Sequence, residues 1–300
     1  MSAPRPTAPA ERKLFGIGLM LLSIGLYAVQ DAIAKHLAPD YTATQILFFR
    51  ALGATLVLLP LIVRAPAALW VTRQPWIMLV RCVAGAGGMA CYIIAFRTMP
   101  LAEVSAIGFS GVLMVSVLAG WVLRERMEWR RWAAVVVGFA GVLIAMRPGL
   151  GVFGIGALWT LGGAVAFAVM TLTLRVLGRT DHPVTVTAYF AVFSIVVLGA
   201  LVPPVWRSPD AAGYGWLMLQ GVMCGGGQLL MATSYRYAPA SAVSPFTYTI
   251  IVYGLIIGYF WFGDVPDPVM LAGVSVLIGS CLYLARREHL TERDAVTKVS

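Results

Sequence analysis

From Leu14 to Leu284 the chain is a series of apolar runs, each near the length needed to cross a bilayer, separated by connections of a few residues. A helix needs about 20 mostly apolar residues to span the hydrocarbon core, and within that layer its backbone groups must bond to one another. Ten stretches fit this pattern: 14–34, 43–63, 76–96, 102–123, 132–146, 153–177, 184–203, 213–235, 241–262 and 268–285. The fifth is the shortest. The breaks hold proline, glycine or charge, as in Arg147-Pro148-Gly149 and Asp264-Val265-Pro266-Asp267, and none is long enough for a soluble domain. Only 12% of the residues are charged against 60% hydrophobic, whereas a soluble domain is about a quarter charged. The expected fold class is all-α: an integral membrane protein of ten transmembrane helices.

The net charge of +9 does not point to nucleic acid, because the basic residues stand singly between apolar runs and form no stripe. They fit the arginine and lysine excess of cytoplasmic loops. Of 22 lysines and arginines, Lys35, Arg97, Arg147 and Arg207 fall on one side of the membrane and Arg50 within a span, leaving 17 on the side of the N-terminus. This bias places both termini in the cytoplasm and the chain in a cell inner (plasma) membrane. Four cysteines, Cys82, Cys91, Cys224 and Cys281, lie within apolar runs and form no C-x-x-C pair, so they read as small core residues.

Shifted by 139 or 140 residues, the sequence resembles itself. Phe96-Arg97-x-x-Pro100 lies over Tyr235-Arg236-x-x-Pro239, Val104-Ser105 over Val243-Ser244, Gly87-Gly88 over Gly226-Gly227, Glu125 over Asp264 and Lys35 over Arg175. Each half has five spans. An odd number sends the second half into the membrane from the opposite side, so the halves are inverted copies, the arrangement that supports alternating access with substrate near the midplane. The expected organisation is a disordered cytoplasmic segment 1–13, a first five-helix repeat 14–147, a second 148–286 and a cytoplasmic tail 287–300.

The two-half pattern, the Arg97-x-x-Pro100-x-Ala102-x-Val104-Ser105 opening of the fourth span and the acidic ending Trp121-Val122-Leu123-Arg124-Glu125 resemble the EamA family of the drug/metabolite transporter superfamily, over about residues 14–286. Within that family the chain looks most similar to bacterial exporters of aromatic amino acids of the YddG type. The resemblance implies a carrier working by alternating access. It also implies that spans three, four, six, eight and nine lie close to a central cavity. Members often carry a proline midway along spans four and nine; here span four has none and span nine has only Pro245 near its start, so a hinge drawn from that proline does not transfer.

Three constellations are candidate sites. The first is the paired glycine cluster Gly85-Ala86-Gly87-Gly88 and Gly225-Gly226-Gly227-Gln228, which either exposes backbone to a ligand or permits close helix packing. The second is Asp31 with Arg50. Arg50 lies roughly 12 Å into span two at 1.5 Å per residue, a depth close to that of Asp31. The second half has Thr171 and Phe190 (or Tyr189) in their places. Charges lost together read as a structural ion pair; the alternatives are an Asp31–Lys35 pair and an Arg50 that binds backbone or substrate. The third is a lining of Tyr92, Phe109, Ser110, Trp159, Gln228, Tyr248 and Tyr253, whose rings stack on side chains and whose hydroxyls and amide bind polar head groups. Glu125 and Asp264 read as solvated loop anchors. The letters Gly149-x-Gly151-x-x-Gly154 follow Arg147-Pro148 rather than a strand and form no dinucleotide site.

The span interiors hold few charges, which disfavours phosphorylated cargo and suits a small zwitterion, such as an amino acid. With Asp31 tied to Arg50, no carboxylate is left to titrate, so transport is expected to be facilitative. No acid–base or metal cluster and no Walker A sequence supports an enzyme or an ATP-driven pump, and no cofactor is expected. The partners are a small-molecule substrate and membrane lipid, with no nucleic acid, and the chain is treated as a monomer. Rival readings are a carrier of the same fold for a nucleobase, a threonine-like amino acid or a drug-like solute, a proton-coupled antiporter, and a membrane enzyme or scaffold.

Overall fold

The computed structural model describes residues 9–64, 71–122, 129–146, 154–178, 180–238 and 243–297, which are helical with no strand among them. The helices are α1 (Pro9–Leu37), α2 (Ala43–Val63), α3 (Pro75–Phe96), α4 (Leu101–Gly108), α5 (Ser110–Val122), α6 (Trp129–Met146), α7 (Ile155–Leu177), α8 (Pro183–Leu201), α9 (Ala211–Tyr237), α10 (Thr249–Ile257) and α11 (Pro268–Thr297). Span four is α4 and α5 together. Span nine is a tight 3₁₀ segment Ser244–Tyr248, α10 and a wide π turn Gly258–Phe262.

The boundaries follow local chemistry. Pro75, Pro183 and Pro268 stand at helix starts, where the missing N–H costs nothing. Asp210 caps α9 by accepting from the Gly213 N–H at 2.7 Å. Span nine stops at Gly263, whose φ of 70° only glycine adopts freely. At both ends the helices outrun the expected spans: α1 begins at Pro9, and α11 continues to Thr297 because no glycine or proline follows Gly279. Among the described residues, four helical stretches are long and apolar enough to cross a membrane on those grounds alone: Lys13–Leu37, Ala43–Leu61, Pro75–Phe96 and Ile155–Leu174. The glycine-rich α9 is as long and packs along α1 and α2 on one side, with Leu219 and Val222 exposed on another.

The principal packing pairs are α1 with α9, α3 with α7, and α6 with α11. Under the repeat, α1 corresponds to α7 and α3 to α9, so the first two pairs are one contact made twice, each time between halves. The pairs are antiparallel. Phe15 at the start of α1 meets Tyr237 at the end of α9 with ring centroids 4.9 Å apart, and His36 near the end of α1 meets Trp216 near the start of α9 at 5.7 Å. Likewise Gly156 at the start of α7 abuts Thr98 and Met99, just past the end of α3. Corresponding helices therefore run in opposite directions, and the two-fold axis relating the halves lies in the membrane plane.

The regular helix of span four is interrupted without a proline. Phe109 separates α4 from α5, its N–H shared between the Ser105 and Ala106 carbonyls at 3.1 and 3.2 Å. Span nine changes helix type at the corresponding position, Tyr248. The two rings touch, with centroids 5.1 Å apart and an interplanar angle of 37°, so the two interruptions face each other across the halves.

Helices α2 and α9 pack backbone to backbone. A methyl group at Gly221 would lie 2.7 Å from the Phe49 carbonyl oxygen and 2.8 Å from the Gly53 Cα, neither of which can yield. Gly221→Ala should therefore cost about 1–3 kcal/mol, read as a lowered thermal midpoint in detergent. Gly87 has nothing within 4 Å of a Cβ, so Gly87→Ala should leave the midpoint unchanged or raise it slightly. Equal midpoints for the two variants would contradict the seam.

Candidate substrate passage

A narrow cleft lies between α2, α3, α8 and α9, with about 560 Å³ of space free of protein atoms, part of it open to the surroundings. Its walls are arranged by the repeat. Leu47 faces it with Thr187, Arg50 with Phe190, Ala54 with Ser194, Leu58 with Leu198 and Met89 with Gln228, each pair 139 or 140 residues apart. The cleft therefore straddles the two-fold axis. The symmetry is broken in its chemistry: α2 contributes a guanidinium where α8 contributes an aromatic ring.

Behind Arg50 stands a polar relay. Arg50 Nε donates to Gln30 Oε1 at 3.2 Å, and Gln30 Nε2 donates to Asp31 Oδ1 at 2.9 Å. Asp31 and Arg50 thus face each other through an amide, in place of the direct ion pair expected from sequence. The alternative Asp31–Lys35 pair does not form either: Lys35 Nζ lies 2.6 Å from Asp264 Oδ2 and 4.3 Å above the Phe262 ring. Cys224 of α9 lines the cleft beside Arg50. The residue that sequence reasoning missed is Gln30. Its signal was an amide beside a carboxylate within a span, with Met170 in its place in the other half.

The other expected site residues divide into two groups. Gln228 lines the cleft. Tyr92 packs inside the bundle, where a methyl at Gly163 would lie 3.0 Å from its ring. Ser110 is buried with its hydroxyl unpartnered, and the Tyr248 ring lies tilted against that of Phe109. Gly88 abuts Ala166, while Gly227 packs on Tyr27 and its carbonyl accepts from Ser23 Oγ at 2.7 Å. These two glycines serve helix seams, and α3 and α9 run through them unbroken. Gly87 and Trp159 face outward, Trp159 at 39% exposure, because their positions on α3 and α7 turn away from the other half.

Both ends of the bundle are tied between the halves. On one side, besides Lys35–Asp264, Gln45 and Arg207 exchange two hydrogen bonds at 2.8 and 3.0 Å, and Arg207 donates to the Asp40 carbonyl. Asp264 is thus half-buried and paired, not a solvated anchor. On the other side Asp181 accepts from Thr72 Oγ1 and from the Arg73 N–H. Glu125, and the glycine-rich letters 149–153, lie outside the described residues.

A bundle of membrane helices in two inverted halves, with a cleft on the axis between them, is the architecture of a solute carrier. The chain belongs to the EamA-like transporter family, which matches residues 14–147 and again residues 154–286. It is 26% identical to an S-adenosylmethionine uptake transporter of Rickettsia conorii, covering 92% of this chain and 94% of that one. It is also 26% identical to a riboflavin transporter of Rhizobium johnstonii, covering 93% and 91%, and to the pseudopaline exporter CntI of Pseudomonas aeruginosa, covering 90% and 96%. A protein of known crystal structure shares the fold, with a TM-score of 0.59 at 18% identity over 93% of this chain and 98% of that one. The protein is therefore a multi-pass membrane transporter. None of these relatives is named for export of an aromatic amino acid.

Burial raises the pKa of the Asp181 carboxyl, but the bonds from Thr72, Arg73 and Thr180 outweigh it and hold the group below its ordinary value. A lowered folded-state pKa stabilises the fold above the unfolded pKa, and that contribution disappears as pH falls through the lowered value. Asp181→Asn should thus melt below the wild type at pH 7, and the gap should close on acidification. A gap independent of pH would contradict this assignment.

Proposed function

We propose that the protein carries a small zwitterionic solute of the amino-acid type, with a preference for apolar or aromatic side chains, by alternating access between the two halves. The observation that carries this reading is the asymmetry of the cleft: Arg50, backed by Gln30 and Asp31, on one wall and Phe190 on the other. A carboxylate suits the guanidinium, an apolar or aromatic side chain suits the ring, and Gln228, Ser194 and Thr187 suit an ammonium group. S-adenosylmethionine, the named cargo of one relative, carries an α-amino acid head, so that head chemistry has a precedent among similar chains. The working direction is export, from a plasma membrane in which both termini are cytoplasmic, and the carrier performs no catalysis.

Transport is facilitative in this reading, because Asp31 is engaged by Gln30 and faces Arg50 rather than standing free to exchange protons. Purified protein in liposomes should show saturable flux of aromatic amino acids within a panel of the twenty amino acids, S-adenosylmethionine and riboflavin. An imposed pH gradient should drive no uphill accumulation. Flux of riboflavin alone would sink the amino-acid reading, and proton-driven accumulation would sink the facilitative one.

Alternating access requires the Lys35–Asp264 side to part. In a chain otherwise free of cysteine, Lys35→Cys with Asp264→Cys should lose most of its flux when bridged by a short bifunctional methanethiosulfonate, which makes up the length of the lost lysine stem, and regain it on reduction. Full flux with the cross-link in place would show that this side does not open during the cycle.

A further inference from the structure

Arg81 is a cation inside α3 that the relay at the cleft leaves out. It lies six residues past Pro75, about 9 Å into the helix. Its Nη1 donates to the Met170 carbonyl of α7 at 2.7 Å, while its Nε is buried without a partner. No carboxylate of the described residues pairs with it. One turn deeper, the Phe190 ring sits over Gly85, 2.6 Å from where a Cβ would stand. The next residue, Ala86, already lines the cleft together with Phe190. Arg81 therefore marks the approach to the cleft from the Asp181 side.

The repeat separates the structural part of this residue from the rest. The position corresponding to Arg81, 139 residues on, is Gln220, which ties its helix to the other half at a different place: Gln220 Nε2 donates to the Ile46 carbonyl of α2 at 2.9 Å, whereas Arg81 reaches the Met170 carbonyl of α7. Either bond needs only a neutral N–H donor. The positive charge at position 81 is thus surplus to the hydrogen bond it makes, and a charge within a span without a counter-ion is costly. An arginine has a flat fork of donors suited to carboxylate or phosphate oxygens.

We propose that Arg81 is an oxyanion-receiving site at the mouth of the cleft, taking the carboxylate of a passing solute or the phosphate of a lipid, with Phe190 standing between it and Arg50. Only the solute arm rests on the carrier reading above.

The test uses the full chain in phosphatidylcholine nanodiscs, with labelled benzoate as the oxyanion probe and benzylamine as the cation of similar shape. Wild type should bind benzoate, benzylamine should not displace it, and R81Q, which copies the residue of the other half, should bind at least about tenfold more weakly or lose one site. In discs doped with phosphatidylglycerol, a lipid occupant would displace benzoate from wild type. It would also co-purify with wild type and not with R81Q by native mass spectrometry. Either arm supports the site and names its source. Equal benzoate binding and equal lipid retention in wild type and R81Q would overturn it. Should R81Q fail to fold, R81K keeps the charge without the fork and should still weaken binding severalfold; unchanged binding in R81K would then overturn it. Benzoate binding does not depend on flux, so a failure here leaves the carrier reading intact, and an absence of flux leaves this site intact.

Discussion

The structure depends on the antiparallel contact of α1 with α9 and its repeat, α3 with α7. In each, the first helix of one half lies along the third helix of the other. Neither half completes its core alone. Buried Ala28, Ala32 and Ile33 on α1, and Leu217, Cys224 and Gln220 on α9, lie on helices packed across the boundary rather than within a half. In lipid, where apolar surface gains nothing by leaving hydrocarbon, such seams are held by close packing and interhelical hydrogen bonds. The small residues and the Ser23–Gly227 bond along α9 meet that requirement. A seam of this kind can slide between two discrete packings more readily than a large-residue core can deform.

The duplication supplied a symmetric frame, and single residues then broke it. Gln30, Asp31 and Arg50 on one side correspond to Met170, Thr171 and Phe190 on the other. One side of the cleft thus holds a connected polar set, and the other presents an aromatic ring on an uncharged helix. Each polar group leans on the next, so removing any one leaves a neighbour unsatisfied in a medium that cannot replace it. Arg81 and Gln220 show the same divergence in milder form: each bonds to a backbone carbonyl of the other half, but on helices that are not counterparts and with the charge altered.

Much of this was legible in the sequence, and the remainder was hidden for physical reasons. Ten spans, five to a half, follow from the succession of apolar runs and the proline, glycine or charge that breaks them, and the shift that aligns Val104-Ser105 with Val243-Ser244 also aligns Phe109 with Tyr248, whose rings touch. Depth is nearly linear in residue number along a membrane helix, so the common level of Asp31 and Arg50 could be read off. Azimuth is not: it decided that Trp159 and Gly87 face outward and that Gln30, not Asp31, bonds to Arg50. The Lys35–Asp264 bridge joins residues 229 apart, and a loop position by itself says nothing about which helix end it will meet.

The two seams beside the cleft cannot close equally. Between α2 and α9, Gly53 and Gly221 bring the backbones into contact. At the equivalent positions between α8 and α3 stand Phe193 and Cys82, with Phe190 wedged against Gly85 one turn away. Side chains of that size hold α3 and α8 apart, and the cleft lies in the gap. Exchange of the two halves' conformations would need α2 to leave a glycine contact and α8 to approach α3 across aromatic bulk. The state seen here is therefore favoured by packing before any solute binds. A solute that drives the exchange must offset that preference through contacts made better in the other state, and Phe190, which belongs both to the cleft wall and to the wedge, is the side chain through which a bound apolar group can act on the seam.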